Sequence, residues 1–467
     1  MTAYSANHSR ENEPKQRMPR RYAISPQQLS DIERFSIMAG LIKKYSVPLL
    51  FICGALLFAC ANVQRVAIPG AVFNELQMKW SLTASQVTGF GASFMYVYAI
   101  SQLFVGLFCD RFGGARVIAA GGIVFSLGSF IFAFMDNYCL LCIGRGLTGL
   151  GGSTFYLGLV TEAIRYFKKN YSSIISIIIM TGYAGGIMAN APFSFAVSHS
   201  SLRIVLAAVA TLQLVLYLFY LMPFSSISKP PVRDVPFSCK SFVNVMKIKS
   251  NWNIYLFFSV HWGLFYSIQT VIGKKFLEDF CRIPSSTAAV FLSTTSLITA
   301  ASGFVYVIGC KKLGNRRKPF CLLTAFTTLL FFLLMVILTA LNIRNIIPAV
   351  LICLFASTSS LSAIVIPMIK ENNASGETSS AIAFANSFSY VLVAVFGNVI
   401  GGMLSLFTPE NVGGKLIYSR SAYLSVFCVM LVCAFGVLHW AWNIKEGTEK
   451  TRLRLSRDNG QKSLKHV

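Results

Sequence analysis

Long apolar runs recur along the whole chain and constrain what it can fold into. Each run is long enough to cross the hydrocarbon core of a bilayer, which takes about 20 apolar residues in a helix. Because a backbone in lipid must satisfy its polar groups internally, the runs predict an all-α membrane protein with twelve transmembrane helices. They fall roughly at residues 46–69, 86–109, 117–135, 139–161, 174–196, 204–222, 252–273, 285–309, 319–341, 346–369, 380–406 and 421–444.

One polar connection, "PFSSISKPPVRDVPFSCKSFVNVMKIKSN", separates the runs into two sets of six. Most other connections are too short to hold a separate domain. The predicted division of the chain is an N-terminal tail (1–45), an N-terminal six-helix bundle (46–222), a central loop (223–251), a C-terminal six-helix bundle (252–444) and a C-terminal tail (445–467).

Charged residues are scarce, and most of them are basic. Only 12% of the residues are charged, whereas a soluble chain carries about 25%, and the net charge is +24. With the N-terminus inside, most Lys and Arg fall in the two tails, the central loop and "KKLGNRRK" (Lys311 to Lys318). Cytoplasmic segments of membrane proteins are enriched in this way. We therefore expect a multi-pass protein of the inner (plasma) membrane with both termini cytoplasmic. Its basic surface should attract anionic lipid headgroups rather than nucleic acid.

The sequence contains no catalytic constellation. The twelve cysteines are scattered, and Cys139 with Cys142 lacks a second pair or a nearby histidine, which argues against a zinc site. No phosphate-binding loop of the GxxxxGK[ST] type is present, so the sequence does not indicate a pump driven by ATP. We expect no catalytic residue, no cofactor and no metal, and the chain is not interpreted as an enzyme.

A short cluster of charge, "VGLFCDRFGGARVI" (Val105 to Ile118), lies between the second and third runs. Gly113 permits a tight turn there. Asp110 falls at the carboxyl end of a predicted helix, where the helix dipole disfavours a negative charge. A positive group is therefore expected to approach Asp110.

This cluster resembles the loop signature of the major facilitator superfamily, Gly-x-x-x-Asp-Arg-x-Gly-x-x-Arg. The resemblance implies that Asp110 contacts the start of the 380–406 span, near Ser379 and Ser380, when the transporter faces outward. A charged surface turn is the alternative. The fixed positions of the signature, which the resemblance makes a conformational latch, are Gly106, Asp110, Arg111, Gly113 and Arg116.

Two further stretches extend the resemblance. "RGLTGLGG" (Arg145 to Gly152) is similar to the fourth-helix signature of the family. "GFVYVIGCKKLGNRRK" (Gly303 to Lys318) repeats the turn in the second half, with Lys311 or Lys312 in place of the acid. The resemblance implies the major facilitator fold, with two pseudo-symmetric six-helix bundles that work by alternating access.

A finer resemblance concerns "VQRVAIPGAVFNEL" and "ASFMYVYAISQLFVGLFCDRFG". These stretches are similar to a bacterial sugar-phosphate-permease-like branch, near the organophosphate:phosphate antiporters and the anion:cation symporters. Both groups place a substrate-binding Arg on helix one, and the antiporters add an Arg on helix seven. Here helix seven, "VHWGLFYSIQTVIGKK", offers Lys274 and Lys275 instead, which argues against a strict phosphate site.

Arg65 is the leading candidate for contact with the solute. An arginine inside a span is costly and usually faces the bundle interior, and Asn62, three residues earlier, shares its helix face. All 17 Asp and Glu fall in tails, loops or span ends. A buried cation without a carboxylate favours a ligand that supplies the negative charge. The alternative is an Arg65 that extends to water at the outer mouth.

Other polar residues inside the spans complete the candidate set, although each alone is more often an interhelical hydrogen bond than a ligand contact. For His261, titration near neutral pH and a packing role against Trp262 are both open. The residues proposed to bind substrate are Arg65, Asn62, Gln64, Tyr96, Arg145, Tyr156, His261, Tyr266, Gln269, Asn386 and Tyr390.

The sequence thus favours a secondary active transporter that moves a small hydrophilic, anionic organic solute across the inner membrane. It is expected to act as a monomer in the lipid bilayer. A coupling ion or a counter-substrate is left open, so symport and antiport both remain. The alternatives are a transporter of the same fold for amino acids or other zwitterionic or neutral solutes, and a transporter-like sensor of sugar phosphates.

Overall fold

The computed structural model describes residues 45–227, 232, 240–373 and 377–445. Nearly all of both predicted tails and most of 228–239 lie outside these described residues. The α-helices are α1 (Ser46–Ala67), α2 (Phe73–Trp80), α3 (Ala84–Phe112), α4 (Gly114–Phe134), α5 (Tyr138–Tyr166), α6 (Tyr171–Met188), α7 (Ala191–His199), α8 (Leu202–Ser226), α9 (Lys240–Lys247), α10 (Lys249–Ser267), α11 (Gly273–Asp279), α12 (Ser285–Lys312), α13 (Lys318–Ala340), α14 (Ile347–Ala356), α15 (Ser362–Asn372), α16 (Thr378–Ser405) and α17 (Arg420–Asn443).

These helices account for all twelve predicted spans, which confirms the fold class. In the described part of the chain, nine helices are long and apolar enough to cross a membrane, with α6 and α7 counted as one. The fourth crossing is α5, which is less apolar because it carries six glycines and two arginines. The seventh and tenth crossings are interrupted helices.

The interruptions have local causes. In the seventh crossing, α10 passes through one π-helical segment, Ile268–Ile272, before α11 begins. In the tenth, α14 ends at Ala356 and α15 starts at Ser362. Ser359 Oγ donates to Ala356 O at 2.7 Å, and Ser359 N donates to the same carbonyl at 3.2 Å. Hydroxyl groups thus add to the backbone bonds of the turn between the two helices.

Glycines bring α4 and α5 into contact along their length. A Cβ added to Gly128 would lie 2.6 Å from Gly144 O, and one added to Gly151 would lie 2.5 Å from Gly121 O. Gly114 likewise abuts the backbone of Gly158. Small residues at a helix interface allow this close packing of backbones.

A β-hairpin that the sequence analysis did not predict joins α16 to α17. Strand β1 (Glu410–Val412) pairs antiparallel with β2 (Lys415–Ile417). Gly413 and Gly414 both have positive φ, at 59° and 83°, as a two-residue hairpin turn requires. We call this end of the bundle the hairpin end, and the opposite end, which carries residues 105–118, the turn end.

The two halves meet at several places in the described part of the chain. Helix α3 packs along α16, the α6–α7 region packs on α12, and the end of α1 approaches the seventh crossing. Ser293 Oγ accepts from Ala191 N at 2.9 Å, and a Cβ added to Gly70 would lie 2.5 Å from Thr270 O. These contacts bring helix α1, with Arg65, against the C-terminal half.

Candidate functional site

Arg65 lies in the last turn of α1 between the two halves, partly exposed as a whole residue but with its guanidinium Nε buried. Its Nη1 donates to the Tyr390 hydroxyl at 2.9 Å, and its Nη2 donates to Asn62 Oδ1. Tyr390 belongs to α16 in the second half, so the guanidinium connects the two bundles. The Asn62 side chain points back along its own helix, donating to Phe58 O at 2.8 Å.

Three tyrosine rings surround the guanidinium, and we call Tyr98, Tyr266 and Tyr390 the tyrosine cage. The Arg65 Cζ lies 5.9, 5.5 and 5.6 Å from their respective ring centroids. These distances allow cation–π attraction. Tyr98 and Tyr390 also meet edge to face, with centroids 4.7 Å apart. The cage therefore stabilises the charge of Arg65 without neutralising it.

Neutral amides extend the cage between α3 and α16. Gln102 Nε2 donates to the Tyr98 hydroxyl at 3.0 Å, and Asn386 Nδ2 donates to Gln102 Oε1. Ser387 Oγ donates to Ala99 O at 2.7 Å beside them. Every group in this network is polar and uncharged, so it adds hydrogen bonds but no counter-ion.

No carboxylate pairs with Arg65 in the described part of the chain. Two buried donors at the site also lack a well-formed hydrogen bond there, namely Arg65 Nε and the Tyr266 hydroxyl. Unsatisfied buried donors are costly. Salt bridges among the described residues include Arg165–Glu162, Arg203–Asp136, Lys274–Glu278, Lys275–Asp279 and Arg317–Glu371.

Arg145 is also buried but faces a different environment. Its three nitrogens donate to backbone carbonyls, those of Phe90 at 3.2 Å, Gln64 at 3.2 Å and Ile68 at 3.3 Å. Its Cζ lies 4.8 Å from the Phe94 ring centroid. The side chain joins α5 to α1 and α3, and the structure does not bring it to Arg65.

His261 is fully buried inside the C-terminal half. Its Nδ1 lies 2.8 Å from Thr328 Oγ1, and its ring meets Phe355 edge to face at 5.5 Å. The packing neighbour is thus Phe355 of α14. Trp262, the next residue, stacks instead on Tyr266 of the cage, with centroids 5.3 Å apart.

The remaining candidates divide between neighbouring helices. Gln64 Nε2 donates to Ser129 Oγ of α4 at 2.9 Å, and Gln269 Nε2 donates to Thr295 Oγ1 of α12 at 3.1 Å. The Tyr96 hydroxyl accepts from Asn398 Nδ2 at 3.3 Å on the partly exposed side of α3. Tyr156 packs on Phe58 at 5.5 Å.

The structure therefore brings together four of the predicted binding residues around Arg65, namely Asn62, Tyr266, Asn386 and Tyr390, with Asn386 linked through Gln102. Tyr98 was missed. A signal was available, because Tyr98 lies one helical turn before the polar Gln102 and shares its face.

The predicted latch forms the turn between α3 and α4. Gly113 has φ 84°, and Arg116 Nη1 donates to Phe112 O at 2.9 Å. Glu162, fully buried at the end of α5, accepts from the backbone N of Ala115 in the first turn of α4. The contact of Asp110 with Ser379 and Ser380 stays a prediction.

A second charged cluster closes the hairpin end, and we call Asn74, Lys274, Lys275, Glu278 and Asp279 the lysine clasp. Lys275 Nζ lies 2.9 Å from Asp279 Oδ2 and donates to Asn74 Oδ1 at 2.5 Å. Lys274 Nζ lies 3.3 Å from Glu278 Oε1, and Asn74 Nδ2 donates to Glu278 Oε2 at 2.7 Å. Both lysines are buried, and Asn74 belongs to α2 of the first half.

Sequence comparison identifies the family. The profile described as Major Facilitator Superfamily matches residues 50–397. The human synaptic vesicular amine transporter is 31% identical over 137 residues, which cover 28% of this chain and 27% of that protein. A probable 4-methylmuconolactone transporter from Cupriavidus pinatubonensis is 36% identical over 112 residues, covering 24% of this chain and 26% of that protein. The chain thus spans about a quarter of the length of these curated relatives.

Structural comparison agrees on the fold. A bacterial homologue of the human lysosomal transporter Spinster, in an inward-facing and occupied conformation, superposes with a TM-score of 0.67. The match covers 88% of this chain and 97% of that structure, at 14% sequence identity. At this identity the similarity extends to the fold alone.

Proposed function

The chain belongs to the Major Facilitator Superfamily, and from that membership we propose that it carries a small hydrophilic organic anion across the inner membrane. As a secondary transporter of this family it requires a small-molecule solute and a lipid bilayer. The observation that supports an anion is the environment of Arg65, a buried guanidinium held by tyrosines and amides in place of a carboxylate.

The position of Arg65 supports a role in the transport cycle. The residue lies on α1, whereas its hydrogen-bond partner Tyr390 lies on α16 of the other half. An anion that binds the guanidinium competes with the Tyr390 hydroxyl for Nη1. Binding therefore changes a contact between the halves, which is what a ligand must do to shift the balance between two conformations.

The resemblance to the sugar-phosphate-permease-like branch would extend the anion to a phosphate ester, but Lys274 and Lys275, which stand in place of the second arginine, are paired with carboxylates and argue against it. A zwitterionic amino acid is the second candidate, because the faces of the tyrosine cage can also accept an ammonium group. The two relatives named above differ in their solutes, an amine and a lactone, and therefore favour neither.

The proposal includes a topology. We place both termini, the 223–251 loop and the turn end in the cytoplasm, because basic residues concentrate there. Cysteines introduced singly at 230–245 should resist a membrane-impermeant maleimide added to intact cells. Labelling from outside at these positions would contradict the proposed orientation and support the opposite one.

The test of the anion site is a binding isotherm. Purified protein is first screened by thermal shift against small anions, amino acids and sugar phosphates, since a ligand at 100 times its Kd adds about 2.7 kcal/mol of stability. Arg65→Gln should then weaken binding of the stabilising anion by about 2–5 kcal/mol, or about thirty- to several-thousand-fold. Arg65→Lys should weaken it less but substantially, because an ammonium lacks the planar fork.

Arg344→Gln is the matched control, because Arg344 is exposed at the surface. It should bind as the wild type does, and circular dichroism should show all three variants folded. Wild-type affinity in Arg65→Gln would refute the anion site.

A further inference from the structure

We propose that the Arg65 site selects monovalent carboxylates with a flat, unsaturated body. This inference rests on the proposed anion transport and narrows its substrate class. Three features of the site carry it: the number of available positive charges, the arrangement of free donors, and the shape and chemistry of the surrounding side chains.

The first feature is the supply of positive charge. Arg65 is the one cation within contact distance of the tyrosine cage among the described residues. Arg145 is committed to three backbone carbonyls, and Lys274 and Lys275 are paired with carboxylates at the hairpin end. One guanidinium balances one negative charge. A second charge on the solute would be buried without a partner, which is strongly unfavourable.

The second feature is the arrangement of donors. A guanidinium presents parallel N–H groups that match the two oxygens of a carboxylate. In Arg65, Nη2 is held by Asn62, Nη1 donates to a hydroxyl of the opposite half, and Nε has no well-formed bond. The Tyr266 hydroxyl is a further buried donor without an acceptor. A carboxylate bound side-on would accept from Nε and Nη2 and from Tyr266, and its full charge would compete with the neutral Asn62 and Tyr390 oxygens for the guanidinium.

The third feature is the aromatic wall. Trp262 stacks on Tyr266 at 5.3 Å, and Tyr98 meets Tyr390 edge to face at 4.7 Å. Aromatic faces and edges prefer to stack on or abut another flat π-system. A sugar ring, by contrast, needs several hydrogen bonds around its rim. Near Arg65 the amides of Gln102 and Asn386 are already bonded to each other and to Tyr98.

The test uses isosteric probes on the full-length purified protein. Benzoate and trans-cinnamate carry one charge on a flat body, terephthalate and glucose 6-phosphate carry about two, benzamide is the neutral analogue of benzoate, and cyclohexanecarboxylate is its non-planar analogue. We expect benzoate or cinnamate to bind at least tenfold more tightly than every other probe, by thermal shift and by calorimetry. Arg65→Gln should abolish this binding, and Arg344→Gln should preserve it.

The outcomes separate this inference from the anion site itself. If terephthalate or glucose 6-phosphate binds as tightly as benzoate and loses affinity in Arg65→Gln, the monovalent, flat specificity is wrong while the anion site stands. If cyclohexanecarboxylate binds as tightly as benzoate, the requirement for a flat body is wrong, while the requirement for a monovalent anion stands. If neither benzoate nor cinnamate binds, the inference fails. If a probe binds equally to wild type and Arg65→Gln, the anion site fails as well.

Discussion

The tyrosine cage and the lysine clasp both hold buried cations at the boundary between the halves, but they satisfy them differently. In the clasp, Lys274 and Lys275 each face a carboxylate within 3.3 Å. In the cage, Arg65 faces hydroxyl and amide groups. In the clasp the fold supplies the anions. Around Arg65 it supplies only neutral groups, and we propose that the solute supplies the charge there.

The difference has an energetic meaning. Removing one member of a buried ion pair leaves a stranded charge, and stability falls. Removing a cation that only a ligand neutralises leaves no stranded partner in the protein, so affinity falls instead. Variants in the clasp should therefore lower the free energy of unfolding, whereas variants in the cage should raise the Kd for the solute.

The largest effect on stability is expected for Asp279→Asn. Asp279 pairs with Lys275 and accepts from the Tyr423 hydroxyl at 2.7 Å, so its loss leaves a buried ammonium without a counter-ion. The free energy of unfolding in mixed micelles should fall by about 3–5 kcal/mol. Asp136→Asn, which removes an exposed partner of Arg203, is the control and should be nearly neutral. An unchanged free energy of unfolding in Asp279→Asn would contradict the proposed difference between clasp and cage.

Arg145→Gln should lower stability by a smaller amount, about 2–3 kcal/mol, because charge-assisted bonds to three carbonyls are lost. The affinity for the solute should stay within about threefold of wild type, since Arg145 does not contact the cage. Unfolding curves and isotherms on the same preparation measure both. A loss of affinity greater than the loss of stability would place Arg145 in the binding site.

Tyr266→Phe removes a buried cage hydroxyl that has no well-formed acceptor and keeps the ring. The affinity for the solute should fall by about 0.5–1.5 kcal/mol, or about two- to tenfold, with unchanged stability. Tyr423→Phe is the matched control, because its hydroxyl serves the clasp. It should show the reverse pattern, with lower stability and wild-type affinity.

The smallest effect on affinity is expected for Asp110→Asn in the latch. Binding should stay within a few-fold of wild type, because Asp110 lies about 18 Å along α3 from Tyr98 of the cage, at the other end of the bundle from the clasp. The rate of solute uptake into vesicles should fall, since the resemblance assigns the residue to conformational bias. Glu410→Gln in the hairpin is the control. If Asp110→Asn takes up solute at the wild-type rate, the proposed role of Asp110 as a conformational latch is wrong.

The spans were predictable because hydropathy acts over about 20 residues and needs no partner. The i,i+3 spacing similarly placed Asn62 beside Arg65. The partners of Arg145 were not predictable, because backbone carbonyls at Phe90 and Ile68 have no sequence signature.

The helix interruptions at 268–272 and 357–361 were also not predicted from the sequence. The apolar run of the seventh crossing continues through its π-helical segment, so hydropathy does not mark the change. In the tenth crossing the bonds of Ser359 to Ala356 O and to Thr299 show where the helix stops, and they depend on contacts that hydropathy does not report.

The close packing of α4 on α5 has a mechanical consequence. Glycine backbones are in contact from Gly114–Gly158 to Gly128–Gly144, which opposes independent sliding or bending of either helix, so we expect the pair to move as one rigid unit. A helix of the length of α5 measures about 43 Å at 1.5 Å per residue. A tilt of about 5° at the turn end therefore displaces the opposite end by about 4 Å, more than the length of a hydrogen bond. If α4 and α5 move together, a small rotation beside Asp110 produces a movement large enough to make or break contacts at the opposite end of the bundle.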